Sequence, residues 1–218
     1  MPLANRVDPS GDIHAVAARG LFTGNRGVIH DPETKTLLRK RWTTKAWIIC
    51  SCEYKNRPPR DVMRYNGRGG GAGWTELFFL DEVTALAAGH RPCFFCRRER
   101  AKEFAGCYGD AFGVTEPKVA EMDARLHRER LASGGAKIDI DRDALRLLPD
   151  GAIVFDGRAH HAIRQGRTLR WSFHGYDGPA GFDALGQSHL CVVTPAATLA
   201  VLGRGYNPVW HPSAGPGT

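Results

Sequence analysis

The run Arg91-Pro92-Cys93-Phe94-Phe95-Cys96 places the strongest constraint on how this chain can fold. It follows a stretch of helical character, Leu80 to Ala88, that ends at Gly89. A tight turn with Cys-x-x-Cys spacing directs two sulfur atoms and several backbone N–H groups toward one point. We therefore predict that Cys93 and Cys96 bind one zinc ion; the alternatives are a packed or a redox-active pair.

A closed zinc site needs two further ligands, and the nearest cysteine pair is Cys50 and Cys52. Their segment, Ala46 to Tyr54, is rich in aromatic and β-branched residues and is predicted to be a strand. Residues two apart on a strand point to the same face, so both sulfurs can reach a metal held by the turn. We predict Cys50 as the third ligand and Cys52 as the fourth. Core packing is the alternative for both, and His30 and His90 are the competing nitrogen ligands.

The run from Thr84 to Arg97 resembles the corresponding stretch of the N-terminal zinc domain of the Ada family, bacterial proteins that remove methyl groups from DNA phosphotriesters. In that family a helix ending in Ala-Gly leads into an aromatic-Arg-Pro-Cys-x-x-Cys turn, and two earlier cysteines complete a four-thiolate zinc site. The resemblance implies zinc and DNA as ligands, with Cys50 or Cys52 as the methyl acceptor. The likeness extends from Cys50 to Arg98.

The chain departs from the Ada pattern before this run. Only Ser51 separates Cys50 from Cys52, which is a shorter spacing than in the family, and the gap before Cys93 contains a glycine-rich insertion, Gly67 to Gly73. The resemblance therefore supports zinc and nucleic acid more than methyl transfer. In Asn5-Arg6-Val7, in Gly24-Asn25-Arg26-Gly27 and in the ending Gly205-Tyr206-Asn207-Pro208, the whole chain also resembles a family of bacterial proteins, a likeness that implies no activity.

Positive charge is concentrated around the first cysteine pair. The 218-residue chain has a formal net charge of +7, and residues 35 to 60 alone carry that excess. Such a local field attracts a polyanion, because phosphate contacts release condensed counterions. We predict DNA, or RNA, as the partner, with a solvated basic face as the alternative. The predicted nucleic-acid-binding residues are Arg26, Arg39, Lys40, Arg41, Lys45, Arg57, Arg91, Arg97 and Arg98.

Several acids near the cysteines suggest hydrolytic chemistry. Glu76, Asp81 and Glu82 are the kind of carboxylates that bind divalent ions and activate water, and His30 beside Asp31 can serve as a general base. Helix capping by Asp81 and surface solvation are the alternative. The predicted catalytic residues are Cys50, Glu76, Asp81 and His30.

The predicted fold class is α+β. A hydrophobic content of 42% can fill one sizeable core or two small ones. Helices are expected over 97–104, 115–131 and 195–202, a connection over 106–113, and antiparallel strands over 152–155, 168–173 and 189–194. We predict a zinc-containing, nucleic-acid-facing half of short strands and helices over 1–110. Residues 111–218 form a half of antiparallel strands plus helices, packed on the first or continuous with it.

The sequence contains no apolar run of membrane-spanning length and no secretory signal, so a reducing cytoplasm is predicted. The favoured function is zinc-dependent DNA binding, in repair or in recognition of damaged or modified DNA. One alternative is a metal-dependent nuclease or base-processing enzyme with a structural zinc. Another is a non-catalytic nucleic-acid-binding adaptor.

Overall fold

The computed structural model describes residues 1–53, 61–186 and 190–215. Within these ranges the chain forms two six-stranded sheets and five α-helices, which confirms the predicted α+β class. The first sheet contains β1 (Ala4–Val7), β2 (Ile13–Ala15), β3 (Phe22–Asn25), β4 (Ile48–Ser51), β5 (Leu77–Phe79) and β6 (Arg91–Pro92). The second contains β7 (Ile138–Asp139), β8 (Ile153–Phe155), β9 (His160–Arg164), β10 (Arg167–Ser172), β11 (Gly175–Tyr176) and β12 (Cys191–Val192). The helices are α1 (Glu82–Ala87), α2 (Arg98–Phe112), α3 (Val119–Glu129), α4 (Arg142–Arg146) and α5 (Ala196–Gly203).

The first sheet brings distant segments of the chain together in the order β2-β1-β5-β3-β4-β6. β6 pairs in parallel with β4, with Ile48 opposite Arg91 and Ile49 opposite Pro92. β6 lies at the edge of the sheet, where proline is tolerated because one side needs no backbone donor. This pairing places the Cys-x-x-Cys turn beside the end of β4.

The second sheet is antiparallel and has the order β11-β10-β9-β8-β12-β7. The predicted strands over 152–155 and 168–173 correspond to β8 and β10, and that over 189–194 to β12; His189 itself lies outside the described residues. β9 was not expected, because His160 and His161 interrupt the apolar pattern of its sequence.

The first hydrophobic core lies between the first sheet and helices α2, α3 and α5. Its buried members include Ile49 of β4, Phe79 of β5, Phe104 of α2 and Val201 of α5. Residues from both sides of position 110 therefore share this core. α1 packs into a second core through Val83, which lies with Ile153 of β8. Contacts with the C-terminal half thus hold the segment that precedes the cysteine turn.

Helix α2 is longer than its sequence predicts. A connection was expected over 106–113, but the helix continues through Gly106 and Gly109 to Phe112. Phe104 and Tyr108 are buried in the first core, and their packing outweighs the low helix propensity of two glycines. Gly109 also needs its small size, because a Cβ there would lie 2.5 Å from the carbonyl oxygen of Val114. No helix in the described ranges is both long and apolar enough to cross a membrane.

Candidate metal centre

Three cysteines converge where β4 meets the turn after β6. The sulfur atoms of Cys50, Cys93 and Cys96 all lie within 4.8 Å of one another. Cys50 belongs to β4, while the backbone N–H of Cys93 donates to the carbonyl oxygen of Ile49 at 3.0 Å. The N–H of Arg97 donates to the carbonyl oxygen of Cys93 at 3.0 Å and closes the turn. These cysteines can therefore hold a metal ion between a strand and a turn that are distant in sequence.

The spacing of the three sulfurs suits a tetrahedral thiolate site. A Zn–S bond length of about 2.3 Å places the sulfurs of such a site about 3.8 Å apart. Small side-chain adjustments would bring the three cysteines to that geometry from their present separations. Soft thiolate ligands select zinc, Cu(I) or iron–sulfur centres over magnesium and calcium. The donor set thus fits a soft metal ion.

The pKa values of the three thiols are shifted in different directions. Hydrogen bonds from the thiols of Cys50 and Cys96 hold the pKa of Cys93 far below its usual value. The corresponding bonds to Cys93 and Cys96, together with burial, raise the pKa of Cys50 well above its ordinary range. Without metal, therefore, the group carries its first negative charge on Cys93 while Cys50 stays protonated.

We expect metal affinity to rise steeply with pH. Because the pKa of Cys93 is lowered while those of Cys50 and Cys96 are raised, we expect binding at neutral pH to displace two protons, so Kd should fall about 100-fold per pH unit. Competition titrations with a chromophoric chelator between pH 6 and pH 8 measure this slope. A change of tenfold or less per pH unit contradicts the shared-proton arrangement. A slope near three protons means either that Cys93 keeps its proton in the absence of metal or that a further thiol joins the site.

Cys52, the predicted fourth ligand, lies outside this group. β4 ends at Ser51, so the alternation that would align Cys52 with Cys50 does not continue. The Cys52 side chain is exposed, and its thiol contacts the carbonyl oxygen of Leu21 at 3.5 Å. Ligation by Cys52 stays a prediction that requires a rearrangement after Ser51.

The two competing histidines are buried elsewhere. His30 contacts the Thr75 hydroxyl through Nδ1 at 2.6 Å. His90 lies against the rings of Trp47 and Phe79, and burial together with nearby arginines holds its pKa well below the usual value. Among the described residues, neither histidine belongs to the cysteine group.

The predicted catalytic carboxylates are occupied by structural hydrogen bonds. Glu76 accepts from the backbone N–H of Met63 at 2.9 Å and from the Asn66 amide at 2.7 Å, so it holds the loop that precedes β5. Asp81 caps α1 by accepting from the N–H of Thr84, and it also accepts from the Tyr176 hydroxyl at 2.9 Å. Burial raises the pKa of Asp81 despite these bonds. The contacts confirm helix capping for Asp81, whereas buried Glu76 is neither a cap nor solvated and serves to hold a loop.

Three of the predicted nucleic-acid-binding arginines are buried. Arg26 is fully buried and donates to the carbonyl oxygen of Gly11 at 2.8 Å. Arg91 and Arg97 form buried ion pairs with Asp123 and Glu82. A guanidinium enclosed in this way is not available to phosphate, so the surface role predicted for these three residues is corrected. They instead hold the fold together.

Most of the other predicted cations that are exposed lie in the segment that precedes β4. Arg39, Lys40, Arg41, Lys45 and Arg98 are exposed, whereas Arg57 lies outside the described residues. The structure adds His127 and Arg128, since the Trp42 ring lies 4.5 Å from the His127 ring. The basic last turn of α3 is visible in the sequence, but its position beside Trp42 is not.

No family model, curated protein or solved structure matches this chain.

Proposed function

We propose that this protein is a zinc-dependent DNA-binding protein. The observation that carries the proposal is the convergence of Cys50, Cys93 and Cys96 at one point of the fold. An ion held there would connect β4 to the turn that leads from β6 into α2. The strand pair at this edge of the sheet, β4 and β6, would then form one rigid unit with the turn. Zinc fits because a Cys-x-x-Cys turn with thiolate partners is its usual protein environment.

The basic segment that leads into β4 supports DNA as the partner. The exposed side chains of Arg39, Lys40, Arg41 and Lys45 form no ion pair with any residue in the described ranges. Clustered cations without carboxylate partners are the electrostatic footprint of a nucleic-acid-binding surface.

The zinc ion acts on this surface through the strand. Lys45 lies just before β4, whereas Cys50 lies toward the other end of the same strand. The proposed role of zinc is therefore structural, to fix β4 and hence the segment that precedes it. The engaged carboxylates of Glu76 and Asp81 favour binding over hydrolysis.

Recognition of modified DNA is the more specific form of the proposal. The resemblance to the Ada zinc domain supports it, and zinc coordination would keep the cysteine sulfurs ionised and nucleophilic at neutral pH. Incubation with DNA that carries a methylphosphotriester tests this form by mass spectrometry. Transfer breaks the O–CH3 bond of the phosphotriester, leaves a phosphodiester on the DNA and forms an S–CH3 bond, so a methyl group replaces one thiol hydrogen in the denatured protein. Peptide mapping then assigns it to Cys50 or Cys52. An unchanged mass rejects methyl transfer and leaves DNA binding in place.

DNA binding should depend steeply on salt concentration. If four cations each contact one phosphate, a plot of log K against log salt has a slope of about −3.6 on duplex DNA, or about −2.8 on a single strand. Fluorescence anisotropy with labelled oligonucleotides at 50 to 300 mM salt measures this slope.

A fourfold charge-removal variant tests which surface binds. Replacing Arg39, Lys40, Arg41 and Lys45 by glutamine should abolish most of the dependence of log K on log salt. The matched control makes the same substitution at four exposed cations of the C-terminal half, Lys137, Arg158, Arg167 and Arg170. Equal losses in the two variants would show that net charge, rather than this surface, governs binding. No binding by the wild-type protein at low salt refutes the proposed function.

A further inference from the structure

We propose that the surface around Trp42 binds single-stranded DNA, with the Trp42 indole stacking on an unpaired base. This inference rests on the proposed function and specifies the form of DNA. The Trp42 surface consists of Arg39, Lys40, Arg41, Trp42, Lys45, His127 and Arg128.

Trp42 is partly open to solvent in the middle of this basic surface. Its exposed fraction is 37%, whereas Trp47, a few residues later, is fully buried. The Trp42 ring meets the His127 ring edge-on, with 4.5 Å between centroids and 75° between the planes. The contact with His127 covers at most one of the two indole faces, so the exposed part of the ring can meet a planar ligand. Aromatic side chains interleaved with cations are the composition of surfaces that bind single strands.

The arginines and lysines around Trp42 are paired with no carboxylate in the described ranges. Arg128 is exposed in the last turn of α3, next to His127. Arg130, which directly follows α3, donates to the carbonyl oxygen of Lys45 at 2.8 Å and so brings Lys45 to the same end of the helix. Burial, then the nearby charges of Arg130 and Lys45, lowers the pKa of His127. The adjacent acid, Glu129, is engaged by Arg125 at 2.9 Å and by the N–H of Ala197 at 2.6 Å. A phosphate approaching Trp42 therefore meets no free carboxylate on α3's last turn.

The backbone that carries Trp42 is fixed on its C-terminal side. The N–H groups of Thr43 and Thr44 donate to the carbonyl oxygen of buried Arg26 at 2.8 and 3.3 Å. Arg130 donates to the carbonyl oxygen of Lys45 at 2.8 Å. A preorganised surface of this kind loses little conformational entropy on binding.

A glycine makes this attachment possible. Gly27 has φ +91°, a conformation that favours glycine, and a Cβ at this position would lie 2.0 Å from the Thr43 hydroxyl oxygen. The segment therefore packs against the core more closely than a larger residue at 27 would permit.

Single-stranded DNA fits this surface better than duplex DNA. In a duplex the bases are stacked on one another, so a protein reads their edges in the grooves and contacts the phosphates. A side-chain ring can stack on a base only where that base is unpaired or extruded. The Trp42 surface is built from an irregular segment and one helix end, which offers stacking and charge rather than an element for the major groove.

Oligonucleotide binding by the wild-type protein and by Trp42→Ala tests the inference. Anisotropy is measured with labelled dT20, a duplex of equal length and the RNA strand U20. We expect the wild-type protein to prefer dT20, and we expect Trp42→Ala to lose at least about fivefold in affinity for dT20, with a smaller loss for the duplex. Trp42→Phe should recover part of the affinity, because phenylalanine retains a stacking face.

Fluorescence separates stacking from a purely structural role of Trp42. Binding of unlabelled dT20 should quench tryptophan fluorescence in the wild-type protein and in the control Trp210→Phe, and the quenching should disappear in Trp42→Phe. Equal Tm values confirm that the variants are folded.

Three results overturn the inference: unchanged dT20 affinity in Trp42→Ala, equal or tighter binding of the duplex by the wild-type protein, and tighter binding of U20 than of dT20. Duplex-only binding rejects single-strand recognition and leaves the proposed function intact. Absence of any nucleic-acid binding rejects both.

Discussion

Replacing Cys93 by serine is expected to abolish stoichiometric zinc binding and to lower the free energy of unfolding. Cys93 accepts hydrogen bonds from both other thiols and is the first of the three to ionise, so its loss removes the anchor of the site. A ligand that binds only the folded protein stabilises it by about 4 kcal/mol when its concentration is a thousand times Kd. The variant loses that contribution, while the second core, which contains none of the three cysteines, still supports the fold.

Elemental analysis and urea denaturation of purified protein measure both effects. Cys107→Ser is the matched control, because Cys107 is a half-buried cysteine whose thiol contacts the carbonyl oxygen of Arg204, outside the cysteine group. A strong chelator should reduce the stability of the wild-type protein and of Cys107→Ser to that of Cys93→Ser, and it should leave Cys93→Ser unchanged. A full equivalent of zinc retained by Cys93→Ser would exclude the proposed site.

A Cys52→Ser variant determines how many thiols hold the ion. If Cys50, Cys93 and Cys96 bind zinc with a non-cysteine fourth ligand, Cys52→Ser retains a full equivalent and its Kd changes by less than about tenfold, the effect of 1.4 kcal/mol. If residues after Ser51 rearrange and Cys52 closes the site, Cys52→Ser loses zinc almost as completely as Cys50→Ser does.

The sequence predicts the two cysteines of the turn more firmly than their partners, for a physical reason. The Cys-x-x-Cys spacing is local, so the turn geometry alone brings Cys93 and Cys96 together. Cys50 depends on the pairing of β4 with β6, a contact between segments about forty residues apart that no local pattern reports. The inclusion of Cys52 required the strand to continue past Ser51, where it ends.

The sequence is least informative about which charged side chains are buried and which are exposed. Arg26 and Lys40 contribute equally to a net charge, yet one is fully buried and the other is exposed. The difference depends on partners that are distant in sequence, such as Asp123 for Arg91. The same limit applies to α2, whose two glycines suggest a connection until its packing in the first core is known.

The buried pair of Arg91 and Asp123 leads to the second large expected effect. Arg91 donates to both carboxylate oxygens of Asp123, through Nε and Nη2, at 2.8 Å each. The side chains are only 5% and 9% exposed, so neither charge is solvated by water. The pair connects β6, just before the cysteine turn, to α3.

Replacing Arg91 by alanine should lower the free energy of unfolding by about 3–5 kcal/mol, because the Asp123 carboxylate would be left buried without a partner. Urea denaturation at neutral pH measures the loss. The double variant Arg91→Leu/Asp123→Leu is the control. It removes both charges and keeps apolar volume, so it should be much more stable than Arg91→Ala.

The single and double variants together distinguish a structural role of Arg91 from the surface role that the sequence predicted. If Arg91→Ala loses less than about 1 kcal/mol of unfolding free energy, which is the range of an exposed ion pair, then the Arg91 guanidinium is accessible to solvent and available to phosphate. A large loss in the single variant that the double variant recovers shows that the charge is balanced inside the protein. In that case any weaker DNA binding by Arg91→Ala would follow from loosening of β6 beside the candidate metal centre, and the proposed contacts with phosphate would rest on the exposed cations before β4.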